Sequence, residues 1–422
     1  MPSDLQLNGP DYLMLGFDHE LRRQGFAGNT CQIVLQLSSR ISVEKLRQRL
    51  AHLTGQHPIL NARPGGWLWP EWKLPARPVV PQVRVHPPGT ITSHQLLNEP
   101  LDARRGELIR FDLCEGSEGR QTLTFTWLHA LMDAPGAEFF LALVGHEELE
   151  LSPAPPTATP ASNPPLGQRL KLAWKYLHHL DELCKVPPKP IPIRHPSAPA
   201  ELASRVERFD AAETARAKAN ATQLGGLFGD AQFHAATALC ELHRLRTQLG
   251  CPSPSYALPL AVGLRAKGSV HPVFSNELTM LMLQLLPTHL DSTALAIAAL
   301  KQQLESAMRG GMIESGRQLG LLFRFLPIPL YMAMAKQGLR GEICSLFFGD
   351  TAAVNPRLNT FLGVPVEDFT HVAAITPSPG LGVIFYYFRG LLRMTIVHSK
   401  RIFTEAEAGE FAANLRQRLL HP

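Results

Sequence analysis

The chain has 422 residues, 45% hydrophobic and only 18% charged, enough apolar material for two domain-sized cores and too little charge for a disordered protein. Forty-one basic against 36 acidic residues leave a net charge of +5 with histidine neutral. No run of five or six like charges and no interleaved aromatics concentrate that charge, so no nucleic-acid partner is expected. Cys31, Cys114, Cys184, Cys240, Cys251 and Cys344 form neither a CxxC pair nor a zinc-spaced cluster and read as reduced thiols. Met1 to Pro10 lack the order of a signal peptide and no uninterrupted eighteen-residue apolar run occurs, so the expected setting is cytoplasmic.

In chain order, Cys31 to Leu37 alternates with apolar residues at 31, 33, 35 and 37, which predicts a strand with one buried face. Ser42 is placed to cap a helix whose Leu46, Leu50 and Leu53 share a face, with Gly55 at its end. A proline-rich stretch from Pro70 to Pro88 predicts irregular structure. Leu108–Leu113 and Gln121–Leu128 then predict two strands separated by a polar, glycine-containing turn. Leu123, Phe125, Trp127 and His129 share one parity, so the histidine emerges at a strand end, and an apolar helix is expected from Ala134 to Val144.

Pro153 to Pro165 holds six prolines, which remove backbone donors and favour extended chain. With a helix over about 166–185 and a second proline-rich stretch, Pro187 to Pro199, this predicts a crossover at 153–200 between halves spanning 1–152 and 201–422. In the second half helices are predicted over Ala211–Ala221 and Asp230–Leu249. Strands are predicted over Ala257–Leu264, Leu278–Leu286 and Val372–Thr376, and as a hairpin, Val383–Phe388 with Leu391–Val397, turning at Arg389-Gly390. Thr404 and Glu407 form a capping-box signature for a closing helix with Ala406, Phe411, Leu415 and Leu419 available to pack.

Of seventeen histidines, His129 alone has an aspartate four residues on, Asp133. An imidazole at a strand-to-helix turn suits a general base, which needs a free ring nitrogen, a fixed tautomer and reach to an acceptor's proton. The alternative is structural: His129 packs against Trp127 and Met132, and Asp133 caps the helix. His178-His179 with Asp181-Glu182 read as a solvated helix face rather than metal ligands, and Gly225-Gly226 and Gly310-Gly311 lack the lysine and serine of a phosphate loop.

The segment Phe125 to Phe140 resembles the catalytic segment of the coenzyme-A-dependent acyltransferase superfamily, which includes chloramphenicol acetyltransferase, plant acyltransferases, wax ester synthases and the condensation domains of peptide synthetases. Its signature is His-x-x-x-Asp-Gly, often preceded by another histidine. His129 and Asp133 match, while Leu128 and Ala134 depart from it. Leu53 to Arg63 is similar to the family's helix-end segment, whose arginine pairs with the motif aspartate; Asn61 stands at that position, and Arg63 is the expected substitute. Phe274 to Leu278 resembles a second-half pattern that makes Asn276 a candidate oxyanion donor. Ser345, in Cys344 to Gly349, is a further candidate donor lining the channel, and Gly136 counts with these as support.

The resemblance implies two chloramphenicol-acetyltransferase-like mixed α/β subdomains with a channel between them. It implies an acyl thioester donor, on coenzyme A or the phosphopantetheine of an acyl carrier protein, and an alcohol or amine acceptor, with no metal and no bound cofactor. The apolar segment Gly320 to Ala335, interrupted by Arg324, Pro327 and Pro329, is too short to span a bilayer and is expected to pack in the core, with peripheral membrane contact as the alternative. Against the enzyme stands a noncatalytic relative that binds a carrier protein or scaffolds a biosynthetic complex.

Overall fold

The computed structural model describes residues 6–66, 70–151, 164–226, 229–266 and 269–422. Through the first half run α1 (Gly9–Arg23), β1 (Thr30–Leu37), α2 (Val43–Gln56), β2 (Arg63–Gly65), β3 (Glu71–Lys73), β4 (Gln82–His86), α3 (Ser93–Leu97), β5 (Ile109–Glu115), β6 (Gln121–Leu128) and α4 (Ala134–Gly145). Next come α5 (Leu166–Leu183), β7 (Leu202–Arg208), α6 (Ala211–Gly225), α7 (Asp230–Gln248), β8 (Tyr256–Gly263), β9 (Leu278–Leu285), α8 (Thr293–Arg309), α9 (Met312–Phe323) and α10 (Ile328–Gln337). The chain ends with β10 (Phe347–Ala353), β11 (Thr360–Phe361), β12 (Val364–Ala373), β13 (Leu381–Phe388), β14 (Leu391–Ser399) and α11 (Glu405–Leu420).

A six-stranded sheet in the order β11-β12-β1-β6-β5-β4 faces one core and a four-stranded sheet, β10-β13-β14-β7, faces another. The first core joins Leu35, Phe111, Phe125 and Phe140 to Tyr331, Met332 and Phe369 from the second half. The second gathers Phe233, Tyr256, Leu283, Phe385 and Phe411. Because β12 pairs antiparallel with β1 along nearly its whole length, the carboxy-terminal half completes the amino-terminal sheet. The two sheets are therefore tied by chain crossing as well as by packing.

β1 is thus internal, with β12 on one side and β6 on the other, and α3 lies against it. The prediction of one buried face is corrected accordingly: seven of its eight residues are buried. Ser42 caps α2 through Lys45 N, but Gly55 lies inside the helix, which ends where His57 must leave helical backbone ahead of Pro58. The Pro70 to Pro88 stretch is not wholly irregular, since β3 and β4 form within it; β4 runs parallel to β5 at the sheet edge, where strand pairing tolerates neighbouring prolines. Of the strand expected at Val372–Thr376 only Val372 and Ala373 are strand, as the end of the longer β12, and residues 374–376 lie beyond it.

The hairpin turns at Arg389 and Gly390 with φ of 50° and 76°, the positive values a two-residue turn requires. Thr404 and Glu407 close the capping box on α11, with Ala408 rather than Ala406 packed beside Phe411, Leu415 and Leu419. The 320–335 region is two short helices, α9 and α10, with Met332 and Tyr331 buried but Leu330 and Met334 exposed. Among the described residues no helix is long and apolar enough to cross a membrane. The proline-rich segment expected from Pro153 lies, through residue 163, outside the described residues.

Candidate active site

His129 leaves the end of β6 in the middle of the six-stranded sheet. Its backbone N–H donates to the Asn29 carbonyl at 2.9 Å, continuing the ladder, and Leu131 N–H to Leu128 O at 2.9 Å closes a tight turn. The Trp127 indole N–H donates to the Met132 carbonyl at 3.0 Å, so a side chain inside the sheet fixes the far side of that turn. The three residues between histidine and aspartate are therefore set by buried bonds. Leu128, where the family often has a second histidine, is fully buried in the core.

Asp133 does more than cap α4. Its Oδ1 accepts from Gly136 N–H at 3.0 Å, while Oδ2 accepts from Arg265 Nη1 at 2.5 Å and from Glu277 N–H at 3.0 Å. The carboxylate is 4% exposed. A helix cap is worth about 1 kcal/mol, whereas removing one partner of a buried ion pair costs roughly 3–5 kcal/mol, so the arginine pair dominates what Asp133 contributes. Arg265 in turn donates from Nη2 to the carbonyls of Pro272 and Ser275 at 2.8 and 3.2 Å, which stitches the 265–277 loop to the turn after β6.

The expected partner Arg63 is corrected by this geometry. Arg63 is exposed on β2 opposite Lys73, and the distant Arg265 takes the place beside Asp133. Asn61 has a separate role, its Oδ1 accepting Val79 N–H at 2.9 Å. Ala134 opens α4 without a positive φ, so this turn has no need of the family's glycine. Gly136 does need to be glycine: a Cβ there would stand 2.4 Å from the Val273 carbonyl oxygen.

Asn276 is buried, and its Nδ2 donates to Asp11 Oδ1 at 2.9 Å and to the His129 carbonyl at 2.8 Å. Both amide donors are thus engaged within the protein, and the residue holds the histidine's backbone. Asp11 Oδ1 also accepts Asn276 N–H at 2.8 Å, and burial, countered by these Asn276 bonds, raises the carboxyl's pKa to about 7. Asp11 belongs to the Asn8 capping box of α1, and no local signal in the sequence ties it to His129. Ser345 clips the approach to β10 onto β8, with N–H to Ala257 O at 2.7 Å and Oγ accepting Ala257 N–H at 3.0 Å.

The imidazole itself is half-buried, with Nδ1 sealed from solvent and unpartnered at hydrogen-bond geometry. Cys31 stands directly across from Trp127, which puts it on the same face as His129 two residues on. Burial pulls the imidazole's pKa down. The Cys31 sulfur, the histidine's own backbone and Asp133 outweigh burial and raise it to about 9. Cys31 is only 3% exposed, and the neutral imidazole is the form that can accept a proton. In the sequence Cys31 reads as one of six reduced thiols; the register of β1 against β6 is what brings it to the site.

No family model matches this chain, and no curated protein does. Solved structures do. The TRI3 trichothecene 15-O-acetyltransferase of Fusarium sporotrichioides is 14% identical, over 98% of this chain and 95% of that one, with a TM-score of 0.70. The first condensation domain of the calcium-dependent antibiotic synthetase is 14% identical over 99% and 97%, also at 0.70. Polyketide synthase associated protein 5 from Mycobacterium tuberculosis is 16% identical over 99% and 97%, at 0.64. The chain has the mixed α/β fold of these solved structures, as the Phe125 to Phe140 resemblance implied.

Proposed function

We propose that the protein is an acyltransferase in which His129 is the general base. The observation that carries this reading is the turn at 129–133, held by Arg265 on its aspartate and by Asn276 on its histidine carbonyl. An alcohol or amine acceptor gives its proton to the imidazole while its oxygen or nitrogen attacks the thioester carbonyl. The carbon–sulfur bond then breaks, and the imidazolium returns the proton to the leaving thiolate. The donor is an acyl thioester of coenzyme A or of a carrier protein's phosphopantetheine. Asp133 is a positioning residue, and its charge is already matched by Arg265, so it keeps the loop rather than relaying protons.

Purified protein offered acyl-coenzyme A and acyl carrier thioesters with a panel of alcohols and amines should release free thiol only when an acceptor is present. Mass spectrometry should find the matching ester or amide. Capture of the carrier protein with no acceptor-dependent thiol release across the panel contradicts the enzymatic reading and leaves a binding role.

A further inference from the structure

The β2–β3 ribbon carries a charge cluster that the acyl-transfer reading does not use. Arg63 and Lys73 lie directly opposite each other in its antiparallel register. Like charges so placed oppose pairing, in a two-stranded ribbon that is marginal to begin with. Gly65 lets the Lys73 stem lie across the ribbon: a Cβ there would meet Cε at 2.6 Å and Cδ at 2.7 Å. Arg77, just past β3, and Arg104, in the 103–105 turn, join this pair in lining a cavity of about 560 Å³ that includes no carboxylate.

None of these four side chains makes an ion pair or side-chain hydrogen bond among the described residues. The adjoining cavity, about 360 Å³, shares Arg63 and Arg77 but is built differently beyond them. There Arg84 is matched by Asp112 and Glu99, and Arg110 by Asp112 at 2.9 Å. The fold thus neutralises cations where it needs only structure and leaves them unmatched in the notch.

We propose that the notch binds the phosphate or pyrophosphate group of a small anionic ligand. Three guanidinium forks and an ammonium offer donors suited to phosphate oxygens, and the cavity is of the size that holds a small molecule. A bound dianion also relieves the Arg63–Lys73 repulsion, so ligand and ribbon stabilise each other. Inorganic pyrophosphate and coenzyme A both carry this chemistry. His129 is not among the residues that line it, and His129→Ala should leave it unchanged.

Calorimetric titration of the full chain with inorganic pyrophosphate at low ionic strength tests the proposal. It should show one saturable site that weakens as salt is raised, and at least a tenfold loss of affinity in the Arg77→Ala/Arg104→Ala variant, with wild-type melting. Lys73→Gln, which removes a charge without touching those two arginines, should weaken binding in the same direction. Coenzyme A that binds more tightly than pyrophosphate and is lost in the same variants identifies the coenzyme as the source. Failure of coenzyme A to compete identifies free phosphates. No saturable pyrophosphate binding by the wild type, or equal affinity in all variants, overturns the proposal.

Discussion

The turn at His129 and the ribbon at Arg63 both gather charge and resolve it in opposite ways. At the turn, Asp133 is buried and both of its oxygens are engaged: by an arginine from 132 residues away and by the backbone N–H groups of Gly136 and Glu277. On the ribbon, two cations face each other in the open with no counter-charge. A buried carboxylate must be matched or it unfolds the loop that holds it, whereas exposed cations are screened by water and can wait for a ligand. Charge at the turn is thus architecture for a neighbouring imidazole, and charge on the ribbon is free to recognise something else.

Exchanging the two arginines' fates is the largest test of that contrast. Arg265→Ala should cost about 3–5 kcal/mol in urea denaturation, because Asp133 is left buried and unpaired, and activity should fall with it. Arg63→Ala should cause no measurable loss of stability, and a comparable loss in both variants would erase the distinction. Next in size is Gly136→Ala, which pushes a methyl group against the Val273 carbonyl and should cost about 1–3 kcal/mol. A variant as stable as wild type would mean that the 265–277 loop does not press on the start of α4.

The smallest effect concerns pH. Cys31→Ala removes the sulfur that raises the imidazole's pKa and leaves burial, which lowers it. Since the base must be neutral, the acid limb of the kcat/KM profile should move to lower pH. An unmoved or alkaline-shifted limb would separate Cys31 from the titration of the site.

Much of this was legible locally. Two-residue alternation marked β1, β5 and β6, the Arg389-Gly390 pair marked the hairpin, and Ser42 and Thr404 marked helix starts. His129 and Asp133 stood out because strand and helix patterns meet between them. What stayed hidden depends on contacts far apart in sequence. Arg63 is two residues from the position the family pattern indicates, yet the ion pair forms with Arg265, whose place is set by how the loop before β9 packs on α4. Asp11 and Cys31 reach the site only through Asn276 and the β1–β6 register. β4 was masked by surrounding prolines, which an edge strand tolerates.

The central claim is that the His129 imidazole takes the acceptor's proton. Thiol release from an acyl thioester, measured with a productive acceptor in wild type and His129→Ala at matched melting behaviour, tests it directly. A drop of about 10²- to 10⁴-fold is expected for the loss of a general base; turnover equal to wild type in a folded variant would contradict it.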